Sequence, residues 1–341
     1  MTTSLRDRVL LNLLRYSPLI LFVTLFIIFG ALSPRFLQAR TLLLILNQAS
    51  YIGILAVGMT FVLLTAGIDL SVGSIMYVAA VVAGVVLEAG APLPVAFLAC
   101  LATGLAFGAV NAFFITRFNV IPFIVTLSTL IAGRGLGLAI TRSRSINLPN
   151  SLFELSAMRP LGISIAIYTF ALVVLVAFLL LRFTPLGRHI YAVGNDAVAA
   201  TKAGLNVNRT VAAVYLISGF CAALAAFVSI AQLGIVNPSF GEGDELDAIA
   251  AAVLGGASLF GGVGTVFPGT VLGTLLIQMV QSGLVFARVD IFVQPLIQAL
   301  VIFVAVVIDS LRNLMLARLR RRNIRKETTA PEPSKLSGAS P

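Results

Sequence analysis

Long apolar stretches separated by short polar breaks run through most of this chain. They fall near 17–33, 42–66, 72–88, 93–115, 121–140, 162–181, 210–232, 246–260, 265–286 and 291–309. A membrane-crossing helix needs about 20 mainly apolar residues, and most of these runs approach that length. The stretch at 246–260 is short. Within hydrocarbon every backbone N–H and C=O must find a partner inside the protein, which leaves helices or a closed barrel. Strict apolar–polar alternation, the mark of a barrel strand, is absent. The pattern therefore predicts an all-α fold: a polytopic transmembrane helical bundle of about ten spans, some of them broken.

Composition agrees with that reading. Apolar residues make up 59% of the 341, charged residues 11%, and mean hydropathy is +1.05; a soluble domain carries about 25% charged residues. Ten crossings return both termini to one side. On that side fall sixteen of the basic residues, against six on the other, with Arg134 inside a span. Positive charge marks the cytoplasm, so both termini and the 182–209 loop are expected there. Residues 1–16 then form a cytoplasmic N-terminal segment, 17–311 the transmembrane domain and 312–341 a basic, then disordered, tail. The run Arg318-Leu319-Arg320-Arg321-Arg322 beside the final span reads as an anchor to anionic lipid rather than a nucleic-acid contact. The apolar run from Pro18 to Leu32 lacks a small-residue cleavage site, so no cleavable signal is expected.

Several chemistries lack their parts. His189 is the only histidine, so a His-based metal site would want for ligands, and none is expected. Cys100 and Cys221 lie in apolar runs, where a thiol packs as a small hydrophobe. The three lysines follow Thr201, Arg325 and Ser334, so there is no Gly-Lys-Ser/Thr phosphate loop. No nucleophile–base pair is evident either. An enzyme is not expected, nor a cofactor.

Gly194-Asn195-Asp196-Ala197-Val198-Ala199-Ala200-Thr201-Lys202-Ala203-Gly204 reads as a short helix held in a loop between two apolar runs. Asn195 or Asp196 can cap its start. Lys202 suits the negative end of its dipole, and Gly204 supplies the left-handed residue that ends it. The small apolar surface between those ends suits a soluble partner.

Polar groups inside the bilayer form the second class of signal. In Gly58–Ser74, Gly67 and Gly73 let the backbone bend, while Asp69 or Ser71 can cap the next helix. This is either a broken helix lining a path or a tight turn. Asn237–Asp247 is acidic, and its carboxylates suit sugar hydroxyls, a cation or helix capping; a pathway or partner-contact role is assigned to Glu245 or Asp247. Gly255-Gly256 and Gly261-Gly262 allow close helix approach or a re-entrant turn. Arg134 faces a path or snorkels, and Gln278, Gln281 and Gln298 face a pore or bridge helices. A repeat is suggested by Gly67-x-x-Leu70-x-x-Gly73 and Gly256-x-x-Leu259-x-x-Gly262. A rival alignment of Gly67-Ile68 with Gly234-Ile235 would invert the halves.

These blocks, in this order, resemble the inner-membrane permease of ribose-type sugar ABC importers, in the branched-chain amino acid/ribose permease superfamily. The carrying residues are Gly67-Ile68-Asp69-Leu70-Ser71-Val72-Gly73, Gly194-Asn195-Asp196 with Ala203-Gly204, Glu245-Leu246-Asp247-Ala248-Ile249-Ala250, and the paired glycines at 255–256 and 261–262. The resemblance implies a bacterial inner-membrane subunit that pairs with a second permease chain, an ATPase below and a periplasmic sugar-binding protein above. The 194–204 helix becomes the coupling helix, carried by Asn195, Asp196, Ala199, Ala200, Lys202 and Gly204. Relatives of the wider type read Glu-Ala-Ala, three residues, then Gly; here Val198 stands in place of the Glu. Gly67, Gly73, Gly256, Gly261 and Gly262 become hinges, and Asp69, Ser71, Arg134, Glu245, Asp247 and Gln278 candidates for the translocation path. The alternative is an ion-coupled secondary transporter using Asp69 or Asp247 as a relay.

Overall fold

The computed structural model describes residues 17–301 together with 303, 304 and 307. The 1–16 segment, the Arg318–Arg322 run and the 312–341 tail lie outside the described residues. Helices follow the apolar runs closely: α1 Ser17–Leu32, α2 Ala39–Leu64, α3 Val72–Glu88, α4 Leu93–Arg117 and α5 Pro122–Thr141. After a two-residue strand, β1 Ile146–Asn147, come α6 Asn150–Ala157, α7 Ile165–Phe183, α8 Pro185–Asn195 and α9 Ala197–Lys202. Then follow α10 Val207–Leu233, β2 Ile235–Val236, α11 Asp244–Leu254 and α12 Val271–Phe286. Residues 294–301 begin another helix.

Among the described residues, six helices are long and apolar enough to cross a membrane: α2, α4, α5, α7, α10 and Val266–Phe286, which includes α12. α1 and α3 are shorter apolar helices. The expected crossing at 246–260 is not a full span. α11 has 11 residues, which at about 1.5 Å per residue reach roughly half of a bilayer core about 30 Å thick. It stops at Gly255-Gly256, where Gly256 takes φ +93. Apolarity alone could not locate that stop, because Ala257, Leu259 and Phe260 prolong the run past the helix end.

The centre is built on α2, α3 and α10. From Ile52 to Leu64 every residue of α2 is buried, as expected for a helix apolar on all sides inside a bundle. α10 packs against it and against α4 at backbone distance. Gly58 faces Cys221, whose Cβ would stand 2.8 Å from a Cβ added at 58. Gly104 and Gly219 face one another so closely that a Cβ on either would strike the other's carbonyl oxygen. Small residues admit such approach, and apolar burial adds little between helices already in lipid. Both cysteines are buried and unpaired. α7 turns Leu172, Leu175 and Val176 outward, a surface suited to acyl chains. At one end of the bundle β1 and β2 pair antiparallel, Ile146 with Val236 and Asn147 with Ile235.

Candidate functional site

The 194–204 segment folds as its sequence predicts, with one choice made. Asp196, rather than Asn195, caps α9: its Oδ1 accepts from the N–H groups of Val198 at 2.8 Å and Ala199 at 2.9 Å. Lys202 occupies the last turn, and Gly204 takes φ +83. Ala200 is buried, while Asn195, Asp196, Ala199, Lys202 and Gly204 are exposed, as is Val198 at 65%. α9 thus turns one side chain inward and offers the rest.

Its base is locked to the bundle. α8, capped by Thr184 accepting from Gly187 N–H, ends beside the C-terminus of α2. A Cβ at Gly194 would overlap Leu64 O and lie 2.6 Å from Gly262 N. Gly262 N–H itself donates to Leu64 O at 3.0 Å, and a Cβ at Gly261 would lie 2.7 Å from Gly194 O. Tyr191 Oη donates to Gly264 O at 2.8 Å. Burial pushes the Tyr191 phenol up, which keeps its proton in place for that bond. Three chain segments therefore meet through backbone: the entry to α9, the end of α2 and the 261–264 turn.

From that lock the chain leaves α2 through Ala66, at φ 59, into the non-helical 65–71 segment. Asp69, fully buried, is the hub of a polar network there. Its Oδ1 accepts from Ser71 N–H at 3.0 Å and Ser71 Oγ at 2.5 Å, and its Oδ2 from Ser218 Oγ of α10 at 2.8 Å. Asn111 of α4 donates to Ser71 Oγ at 2.8 Å, and Thr129 of α5 to Asn111 Oδ1 at 2.7 Å. Neither Asp69 nor Ser71 makes a side-chain cap on α3; Asp69 instead holds Ser71 and ties the break to three helices. Buried polar groups so fully engaged fix one local geometry.

α3 then meets the acidic segment. A Cβ at Gly73 would strike Glu245 Oε2 and Gly241 O. Arg134 donates to Phe240 O at 2.5 Å, and its guanidinium lies 5.4 Å from the Tyr77 ring centroid, within cation–π range. Arg134 Nη2 and Glu245 Oε2 are buried without a hydrogen-bond partner among the described residues. Capping by Asp244 or Asp247, one of the readings of this cluster, is not what the helix uses. The N-cap of α11 is Gly243, at φ +87, while Asp244, Glu245 and Asp247 sit in its first turn, where the dipole favours carboxylates. Asp247 points to the other side, accepting from Gln281 at 3.0 Å and from Gln298 at 2.9 Å. Gln278, buried, donates to Gln48 Oε1 at 3.2 Å and Ser282 Oγ at 3.3 Å. These amides border a cleft of about 330 Å³ between α2, α12 and the 294–301 helix.

Residues 41–308 match the family model described as branched-chain amino acid transport system / permease component. The chain belongs to that family. It is 38% identical over 303 residues to the ribose import permease protein RbsC of Escherichia coli K12, covering 87% of this chain and 94% of that one. The Haemophilus influenzae RbsC is 37% identical over 84% of this chain and 90% of its own. The autoinducer 2 import system permease protein LsrC of Salmonella typhi is 38% identical over 92% and 91%. No solved structure matches the chain.

As a member of this permease family, the protein places its expected residues in three groups. Asn195 and Asp196 lie with the lock that uses Gly261 and Gly262, and Gly204 closes the far end of α9; Asp69 and Ser71 form the buried hub; Arg134, Glu245 and Gly73 meet near Gly241, with Gln278 lining the cleft and Asp247 bonded to its Gln281 and Gln298. Reading the residues in order missed Leu64, Tyr191, Asn111, Thr129, Ser218 and Gln48. Thr184-Pro185, an N-cap followed by proline, signals the start of α8, the helix that carries Tyr191. For the others nothing local distinguishes them from neighbouring positions.

Proposed function

We propose that this protein is the permease subunit of an ATP-driven importer of the bacterial inner membrane, passing a monosaccharide inward from a periplasmic binding protein. The observation that carries the reading is the exposed α9 whose base is fastened to both the end of α2 and the 261–264 turn. A separate ATPase subunit gripping α9 would pull on backbone, with no flexible side chain to absorb the stroke. Displacement of the 194–204 segment would shift the 65–71 break and the glycine turn together, tilting α2, α3, α11 and α12. Ten crossings, two of them interrupted, would place both termini and the 182–209 loop in the cytoplasm with the excess of positive charge. A second permease chain, identical or related, would complete the path, and the Arg318–Arg322 run would lie against lipid.

Of the six path candidates, we assign Asp247 and Gln278 to the path wall. Arg134 and Glu245 we assign to its outer approach, where each keeps one polar atom without a partner among the described residues. Asp69 and Ser71 hold the break in shape. The test is a Val198→Cys variant carrying a short photocrosslinker, purified in mild detergent. Crosslinks to an ATPase that travels with the chain support the reading. Adducts with lipid or water alone would remove the coupling assignment.

A further inference from the structure

The cleft between α2, α12 and the 294–301 helix is unusual in what its amides leave uncommitted. Gln281 and Gln298 each direct one N–H to Asp247, Gln278 both of its own to Gln48 and Ser282, and Gln294 one to Val289 O at 2.9 Å. An amide bears two donors and one acceptor oxygen. Once the nitrogen faces protein, the oxygen faces away. Among the described residues, the Oε1 atoms of Gln278, Gln281, Gln294 and Gln298 accept no hydrogen bond. For Gln281 and Gln298, Asp247 imposes this direction. A carboxylate can only accept, so both amides reaching it must present nitrogen.

We infer that this cleft is a weak binding site for a polyhydroxylated, uncharged solute, with Asp247 as a positioning residue that keeps the Gln281 and Gln298 oxygens turned outward. Hydroxyl groups bring the donors that four amide oxygens lack. A solute without hydroxyl groups cannot replace the water it displaces. At about 330 Å³ the cleft is at the lower end of the roughly 300–1,000 Å³ range of ligand pockets, which suits a single sugar ring. Neutral hydrogen bonds are individually weak, as a passage site requires. The inference rests on the monosaccharide-permease reading and adds to it which atoms meet the sugar.

Two measurements test it on the full-length chain. Saturation-transfer NMR of the detergent-solubilised permease with D-ribose, ribitol and tetrahydropyran as probes should give transfer to the two polyols and none to tetrahydropyran. Q281L with Q298L should lose the polyol signal. Q294L, which leaves Asp247 untouched, should weaken it. D247N should alter the balance between the two polyols, because an asparagine amide must face an oxygen and so turns one glutamine round. In proteoliposomes with ATPase and binding protein, Q294L should lower sugar moved per ATP hydrolysed by about three- to tenfold, the size of one neutral hydrogen bond. Undiminished polyol transfer in Q281L/Q298L and Q294L overturns the inference, as does equal transfer to tetrahydropyran. If transport by the wild type fails while the polyol signals behave as stated, the importer reading falls and the cleft stands. If transport succeeds and the variants do not differ, the cleft falls and the importer reading stands.

Discussion

Replacing Gly194 with alanine probes the lock directly. The new Cβ would overlap Leu64 O and stand 2.6 Å from Gly262 N, whereas ordinary contact begins at 3.4 Å, so Gly262 alone must retreat by 0.8 Å. Leu64 O must move further. The Gly262 N–H to Leu64 O bond, now 3.0 Å, does not survive both shifts. Loss of a backbone hydrogen bond costs about 0.5–1.5 kcal/mol and overpacking about 1–3 kcal/mol, giving a destabilisation of about 2–4 kcal/mol. The sign is informative, because Gly→Ala inside a helix such as α8 otherwise stabilises by up to about 1 kcal/mol. Gly204→Ala serves as comparison: among the described residues no atom lies within 4 Å of its added Cβ. Only the left-handed backbone is penalised there, by about 1–2 kcal/mol. The assay pairs thermal unfolding in detergent with sugar transported per ATP hydrolysed in proteoliposomes. G194A should unfold earlier than G204A and lose the larger share of coupling. Wild-type stability and coupling in G194A would refute the lock as the link between α9 and the bundle.

Other outcomes follow from single contacts. Tyr191→Phe removes the hydroxyl held by Gly264 O and should cost about 1 kcal/mol, with faster amide exchange across 255–264 as the readout; unchanged exchange would count against this tether. Asp69→Asn keeps one acceptor oxygen where three donors converge, so thermal stability should fall by about 1–3 kcal/mol, and Asp69→Ala should fall further. A D69N protein as stable as wild type would deny Asp69 its place as hub. Asp196→Ala should leave the unfolding of the bundle nearly unmoved, since the cost of a lost N-cap, about 0.5–2 kcal/mol, falls on a six-residue helix with only Ala200 buried. ATPase retention on co-purification should drop, and Asp196→Asn, which caps as well, should restore it.

How much was legible depended on the range of the interaction. Solvent acts on every residue, so the preference of each apolar run for lipid located α1 to α5, α7, α10 and α12 from the chain alone. Capping and turn chemistry are equally local. Asp196, Lys202 and Gly204 announced α9, and only the choice between Asn195 and Asp196 waited for coordinates. Relations between distant residues were another matter. No local rule joins Asp69 to Ser218, Leu64 to Gly262 or Gln48 to Gln278, because those pairs exist only once helices have packed. Glycine illustrates the divide. Its frequency at 255–264 signalled a break in the chain, yet Gly262 serves the lock and Gly256 ends a helix, and composition treats the two alike. The halving of the 246–260 run belongs to the same class. Hydrophobicity measures preference for lipid, but where a helix stops in a bundle is set by which backbone groups find partners in neighbouring segments.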